Sequence, residues 1–179
     1  MEGAKLLANN QYSDFALLLL NENPKYDNDK FQPYYLGWDI GESNKDNSVT
    51  IHHPSGDMKK ITTFNNDVTY GTATNSIYSS YTLQAHYDQG ITEQGSSGAP
   101  LINEDRHVVG QLFGGKQNII CDNRQNDIIC FGSLLKSWTG GASANTDSTR
   151  NLRHWLDTDN TGATICKGTK YMYKIIINI

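Results

Sequence analysis

The residues with the clearest chemical potential lie in one short stretch, Gly95-Ser96-Ser97-Gly98-Ala99-Pro100. A serine between two glycines suits a nucleophile on a tight turn, because the backbone there must approach a substrate carbonyl without side chains in the way. The backbone N–H groups of Gly95 and Ser97 would converge as donors to the oxyanion that forms during acyl transfer. The spacing therefore predicts acyl transfer at Ser97, and the alternative is a glycine- and serine-rich turn between strands.

Short strands and polar turns make up most of the chain and must position this stretch. Tyr, Thr and Ile, with frequent Gly and Asn clusters, favour an all-β sandwich or barrel. The alternating patterns predict strands near 12–21, 34–38, 49–52, 59–64, 80–88, 99–103, 107–114 and 129–137. One helix should follow, beginning at Asp147 or Ser148 and placing Leu152, Trp155 and Leu156 on one face.

Composition narrows the function classes. The 179 residues suffice for one domain with a sizeable core. A formal net charge of -4 and the lack of a basic run make nucleic acid or an anionic membrane an unfavoured main partner. No segment reaches transmembrane length, and Asp14 interrupts the apolar run that would otherwise resemble a signal peptide.

The cysteines and the C-terminal tail leave alternatives open. Cys121 and Cys130 are near enough in sequence for a disulfide to close a small loop. With Cys166 the number of cysteines is odd, which fits either a free thiol or a disulfide to a cysteine outside this sequence. The lack of a Cys-x-x-Cys motif argues against a zinc or redox site. Residues 167–179 form an apolar tail that would be an edge strand, a cloning scar or non-native read-through, and that favours aggregation if exposed.

Six stretches, in the right order, resemble the chymotrypsin-like (trypsin-fold) serine peptidases, and more narrowly the bacterial lysyl endopeptidase-like branch. They cover residues 13–18, 37–39, 51–61, 90–101, 108–115 and parts of 137–162, within a match over about 3–166. The resemblance implies an all-β, chymotrypsin-like antiparallel β-barrel, the second of the family's two, with a remnant of the first barrel and a C-terminal helix.

The resemblance also implies roles for individual residues. Ser97 would be the nucleophile, and Gly95 and Ser97 would form the oxyanion hole. Asp14 would be the triad acid that orients the histidine base, although an aspartate before an apolar strand is often only a cap or turn. The strand that pairs with substrate would contribute Phe113, Gly114 and Gly115. Ser96 stands where many animal relatives have an aspartate that pairs with a new N-terminus, so that activation switch is not expected.

The histidine base of the family lies upstream of the aspartate strand, where this sequence has almost nothing. All five histidines are expected to be packing or surface residues: His52, His53, His86, His107 and His154. The chain is therefore expected to be a serine endopeptidase fragment, the C-terminal two-thirds, inactive alone. A non-catalytic peptide- or partner-binding module on the same scaffold is the alternative.

Specificity and organisation complete the expectations. Lysine preference in this branch depends on an acidic residue shortly before a Tyr-Gly or Phe-Gly pair, but that position holds Ile129. Asp127 is displaced by two residues and would still reach the pocket as a substrate-binding residue; the alternative is an exposed acid of the loop. The expected division is a first-barrel remnant over 1–31, the second barrel over 32–140, the closing segment over 141–166 and the tail over 167–179. The predicted location is secreted or periplasmic, and the predicted substrate is a peptide or protein. The missing barrel of the same protein is the predicted partner, and no cofactor or metal is expected.

Overall fold

The computed structural model describes residues 3–22, 33–42, 45–64, 68–71, 79–115, 127–141, 146–170 and 177–178. Cys121, most of the polar loop predicted over 22–32 and most of the 167–179 tail lie outside these ranges. The strands are β1 (Ala4–Asn10), β2 (Phe15–Leu20), β3 (Gly37–Asp39), β4 (Ser48–His52), β5 (Lys60–Phe64), β6 (Thr69–Tyr70), β7 (Thr82–His86), β8 (Pro100–Ile102), β9 (His107–Gly115), β10 (Ile128–Ser133), β11 (Ile165–Cys166) and β12 (Ile177–Asn178). The helices are α1 (Leu134–Thr139) and α2 (Arg153–Leu156), with 3-10 turns at Pro54–Gly56 and Ser79–Tyr81.

The larger sheet curls into a barrel. Its strands are hydrogen-bonded in the order β5-β4-β8-β9-β10-β7-β6, and a bridge from Thr63 to Gln89 brings the β5 edge back towards the end of β7. Inward-facing side chains of this sheet, among them Phe64, Leu101 and Phe131, form a fully buried core. The predicted all-β class with an antiparallel barrel is confirmed.

A second sheet carries the start of the chain. β2 pairs antiparallel with β1 and with β12. Phe15 and Leu17 of β2 point into a separate core that also contains Trp138 of α1 and Leu152. Leu134 and Trp138 of this second core lie on α1, which directly follows β10 of the barrel, so this outer sheet lies beside the barrel.

The helical predictions need correction. The strand expected over 129–137 ends at Ser133, whose side chain caps α1 by accepting from the Lys136 N–H. The predicted helix from Asp147 is only the single turn α2, because Asp147 instead accepts from the Thr149 N–H in a local turn. β1 was not predicted, since Asn9 and Asn10 are poor strand formers. Among the described residues, no helix is long and apolar enough to cross a membrane.

Candidate active site

The nucleophile loop consists of two consecutive turns. Ser96 donates its N–H to the Glu93 carbonyl at 3.0 Å, and Ala99 donates to the Ser96 carbonyl at 3.1 Å. Gly95 (φ 93°) and Gly98 (φ 80°) adopt the left-handed backbone that these turns require. Ser97 follows the first turn and is exposed, so its hydroxyl faces solvent.

The backbone around Ser97 keeps two donors unused. Within the described part of the chain, neither the Gly95 N–H nor the Ser97 N–H donates to a protein acceptor, although Ser96 N–H between them does. Backbone donors flanking an exposed serine hydroxyl are what stabilisation of an oxyanion requires. The loop therefore has the chemical groups for acyl transfer at one place.

β9 fixes the downstream arm of the loop. Gly98 donates its N–H to the Leu112 carbonyl at 2.9 Å, and Leu112 donates back to the Ala99 carbonyl at 2.8 Å. Pro100 then pairs with Gln111 as β8 begins. Ser97 is thus one residue away from a regular ladder on a central strand of the barrel.

The same strand holds the turn that carries Asp14. The Gln111 side chain donates to the Ser13 carbonyl at 2.6 Å and to the Asp14 carbonyl at 3.3 Å. Ser137 of α1 donates to the Ser13 hydroxyl at 2.9 Å. Gly132 of β10 packs so closely beneath the turn that a Cβ there would overlap the Ser13 carbonyl oxygen. Neighbouring residues of β9 therefore position both sequence-predicted catalytic turns.

Asp14 is exposed at the end of the turn between β1 and β2. Its backbone is left-handed (φ 52°), a conformation that aspartate adopts more readily than most residues. Partial desolvation raises the pKa of the Asp14 carboxyl, and within the described residues its side chain has no hydrogen-bond or ion-pair partner. Asp14 and Ser97 are not hydrogen-bonded to each other.

The predicted substrate-binding residues lie at the far end of β9. The ladder between β9 and β10 shifts register at Phe113, and Gly114 pairs with Cys130 and Gly115 with Ile129. The paired residues of β8 and β9 end at Pro100 and Gln111, and Leu112 extends the pairing through its hydrogen bonds with Gly98 and Ala99. β9 continues beyond this point as far as Gly115.

The acidic position for lysine preference is not where the family pattern would have it. Ile129 is 2 % exposed and packs in the barrel core, so it offers no charge. Asp127 is half-buried just before β10, close enough to Tyr87 for its charge to reinforce the raised Tyr87 pKa, which burial chiefly causes.

The histidines do not meet the catalytic residues. All five are among the described residues, and no histidine ring nitrogen hydrogen-bonds to Ser97 or Asp14. His53 contacts the Asp57 carbonyl at 3.1 Å, His154 packs edge-on against Trp155, and His86 is exposed on β7. Each therefore has a local structural setting.

His52 has a partner that the sequence did not indicate. It is buried, and its Nδ1 lies 2.8 Å from the hydroxyl of Ser96, the residue before Ser97. The signal was the alternation along β4, where Ser48, Thr50 and His52 are all buried. Ser48 donates to the Lys45 carbonyl and His52 contacts Ser96 and Thr62, whereas Thr50 Oγ1 is buried with no hydrogen-bond partner among the described residues.

The described cysteines have no catalytic setting. Cys130 in β10 and Cys166 in β11 are free thiols, and burial raises the pKa of the Cys130 thiol, which makes it less reactive. Among the described residues, no group of three His, Cys, Asp or Glu side chains could hold a metal ion.

The barrel and the serine loop belong to a known class. A family model described as lysyl endopeptidase, C-terminal domain, matches residues 1–131. The chain belongs to this family, within the chymotrypsin-like serine peptidases that the six motifs indicated.

Two solved structures have a similar backbone fold. The Rv3671c protease from M. tuberculosis, active form, is 18% identical over 83% of this chain and 60% of that chain, with a TM-score of 0.47. A serine-to-alanine mutant of Rv3671c in an inactive form is 17% identical over 73% of this chain and 58% of that chain, with a TM-score of 0.43. The chain thus spans less than two thirds of the length of these structures.

Proposed function

We propose that this chain carries the nucleophile of a serine endopeptidase, which hydrolyses peptide bonds through an acyl-enzyme on Ser97. One observation carries the proposal: the exposed Ser97 has unused N–H donors on its own backbone and on Gly95, and β9 holds its loop beside the Asp14 turn. A structural turn would have no need of this combination.

The reaction follows from these positions. The Ser97 hydroxyl attacks the scissile carbonyl and gives its proton to an imidazole, and the Gly95 and Ser97 N–H groups stabilise the oxyanion. The imidazole then protonates the leaving amine, and water releases the acyl group by the same steps in reverse. Asp14 accepts the other imidazole N–H and stabilises the imidazolium.

The base would come from outside these 179 residues. His52 is hydrogen-bonded on both ring nitrogens, and the other four histidines form no hydrogen bond with Ser97 or Asp14. The proposed complete enzyme has a histidine from a first barrel next to β2, and this chain alone is inactive or nearly so. Export to the periplasm or outside the cell would fit such an enzyme.

The substrate would be an extended peptide alongside Phe113, Gly114 and Gly115. A basic side chain before the scissile bond would reach towards Asp127, which gives a preference for lysine without an acidic residue at position 129. Replacing Asp127 with Asn should then lower the selectivity for Lys over Ala peptides in the complete enzyme, leaving cleavage after Ala unchanged.

The direct test is labelling of Ser97 with a biotinylated fluorophosphonate, with and without added imidazole. Free imidazole supplies a base, without the advantage of a fixed position, so the labelling rate should rise from near zero to a low but measurable value. Mass spectrometry should locate the adduct on Ser97. The Ser97→Ala chain should not label, whereas Ser80→Ala, which removes another exposed serine, should label as the parent does.

Two results would count against the proposal. Rapid labelling without imidazole would show that the chain contains its own base. An adduct on other serines only would remove Ser97 as nucleophile and favour a non-catalytic peptide-binding module on the same scaffold.

A further inference from the structure

A buried polar chain connects strand β4 to the nucleophile loop. His52 is 3 % exposed and Ser96 is 0 % exposed, so neither is accessible to substrate. His52 Nδ1 lies 2.8 Å from Ser96 Oγ, and His52 Nε2 lies 3.0 Å from Thr62 Oγ1 on β5. The chain continues at both ends to backbone groups of the segment that leads into the loop.

The Thr62 partner and the burial of His52 together assign the protons in this chain. Thr62 donates its hydroxyl proton to the Ile91 carbonyl at 3.1 Å, so Thr62 Oγ1 must accept from His52 Nε2–H. Burial favours the neutral imidazole, whose only N–H is then on Nε2 and whose Nδ1 accepts. The Ser96 hydroxyl therefore donates to His52 Nδ1, while its oxygen accepts from the Glu93 N–H at 3.2 Å.

The same region also supports the loop through the backbone. Ser55 donates its N–H to the Gln94 carbonyl at 2.7 Å. Gly95 lies so close to the His53 carbonyl that a Cβ there would be only 3.2 Å from it. The segment after β4 therefore supports the first turn of the nucleophile loop.

We propose that His52 is a positioning residue of the nucleophile loop: as a neutral acceptor it orients Ser96 and so holds the turn that presents the Gly95 and Ser97 N–H groups. The catalytic consequence rests on the proposed function, whereas the effect on the loop does not. A protonated His52 would have no acceptor for the Ser96 hydroxyl, so the turn between Glu93 and Ser96 would rearrange.

The charged groups around His52 influence the pH at which this change occurs. The groups are His53 next in the chain, Glu93 in the loop and Lys60 opposite on β5. Burial is the main cause that lowers the pKa of His52 below 6.5, a positive His53 lowers it further, and Glu93 opposes both. The loop should therefore stay ordered at neutral pH and loosen only below 6.5.

Stability should follow the same titration. Because the folded-state pKa is depressed, the unfolded chain binds more protons between the two pKa values. The contribution of His52 is thus fully present above pH 6.5 and is lost as the pH falls towards the folded-state value.

The experiment is an NMR titration of the loop amides Gly95, Ser97 and Gly98, in the chain as it stands, across pH 6.5. In the parent these resonances should shift together with a midpoint below pH 6.5. Long-range correlations to the ring nitrogens should show that neutral His52 carries its proton on Nε2. His52→Gln keeps an acceptor for Ser96 and a donor for Thr62 but does not titrate. It should keep the parent loop shifts at neutral pH and lose the pH response.

Two further variants complete the design. His86→Gln, which removes an exposed histidine of β7, should titrate as the parent does. Ser96→Ala removes the donor to Nδ1 and should raise the midpoint of His52. Any of three results would overturn the assignment: the loop amides of the parent show no response to pH, the response survives in His52→Gln, or neutral His52 carries its proton on Nδ1.

The outcome is independent of the peptidase proposal. Normal titration with no labelling of Ser97 by fluorophosphonate and imidazole would remove the catalytic function and keep the positioning role. If Ser97 is labelled but the loop does not respond to the titration of His52, the catalytic function is kept and the positioning role is removed.

Discussion

The barrel core and the core beneath β2 are built in different ways. Every buried residue of the barrel core lies in the stretch from Phe64 to Phe131, on paired strands or, for Val68 and Tyr87, directly beside one. The second core takes Leu7 and Leu17 from the start of the chain, Trp138 from α1 and Leu152 from beyond it. The first is thus a closed sheet, whereas the second depends on distant segments coming together.

The two turns that we propose to be catalytic are divided between these regions. The Ser97 loop belongs to the barrel, but the Asp14 turn begins β2 of the outer sheet. The outer sheet is also tied to the end of the chain, since Asn10 donates to the Gly140 and Arg150 carbonyls at 3.1 and 3.2 Å. Damage to the second core should therefore displace Asp14 and leave the Ser97 loop in place.

The largest effect is expected in the barrel core. Phe131 is 0 % exposed and packs edge-on against Phe64 with ring centroids 5.4 Å apart. Phe131→Ala should lower the free energy of unfolding by about 3–5 kcal/mol, because it leaves a cavity at the centre of the barrel. Chemical denaturation should show this loss, and hydrogen exchange should quicken in both sheets. Fast exchange confined to β10 would contradict a cooperative barrel.

A smaller and more local effect is expected for Leu17→Ala. Leu17 is 1 % exposed in the second core, and its truncation should cost about 2–5 kcal/mol of local stability. Hydrogen exchange should quicken in β1 and β2 but remain slow in β8 and β9. Leu6→Ala, which shortens an exposed side chain of the same sheet, is the matched control and should change little. Equal loss of protection in β9 would show that the two regions unfold as one.

The sequence predicts the barrel better than the outer sheet for the same physical reason. Local alternation and turn residues specify strands such as β4, β8 and β9, whose inward faces fill one core. β1 has no such pattern, because Asn9 and Asn10 are placed by partners far along the chain, including the Thr149 carbonyl at 2.9 Å from the Asn9 N–H. Contacts across that separation leave no periodic signal.

The candidate site shows the same limit. The turn around Ser97 could be predicted, since Gly95 and Gly98 supply its left-handed backbone. The contact between Gln111 and the Asp14 turn could not, because it joins residues with no shared motif. His52 could be noticed on a polar inward face, but its partner Ser96 is known only from the fold.

The smallest effect on stability, and the sharpest test of the division, is expected at the link between the regions. A Cβ at Gly132 would overlap both the Ser13 carbonyl oxygen and the Gln111 amide nitrogen. Gly132→Ala should therefore push the Asp14 turn away from β9 at a cost of about 1–3 kcal/mol. The amide resonances of Ser13 and Asp14 should move, while those of Gly95 and Ser97 stay. Cys130→Ala, in the same strand but away from the turn, is the control and should move neither set. If Gly132→Ala shifts the Ser97 loop as strongly as the Asp14 turn, then β9 transmits the displacement and the two turns form a single unit.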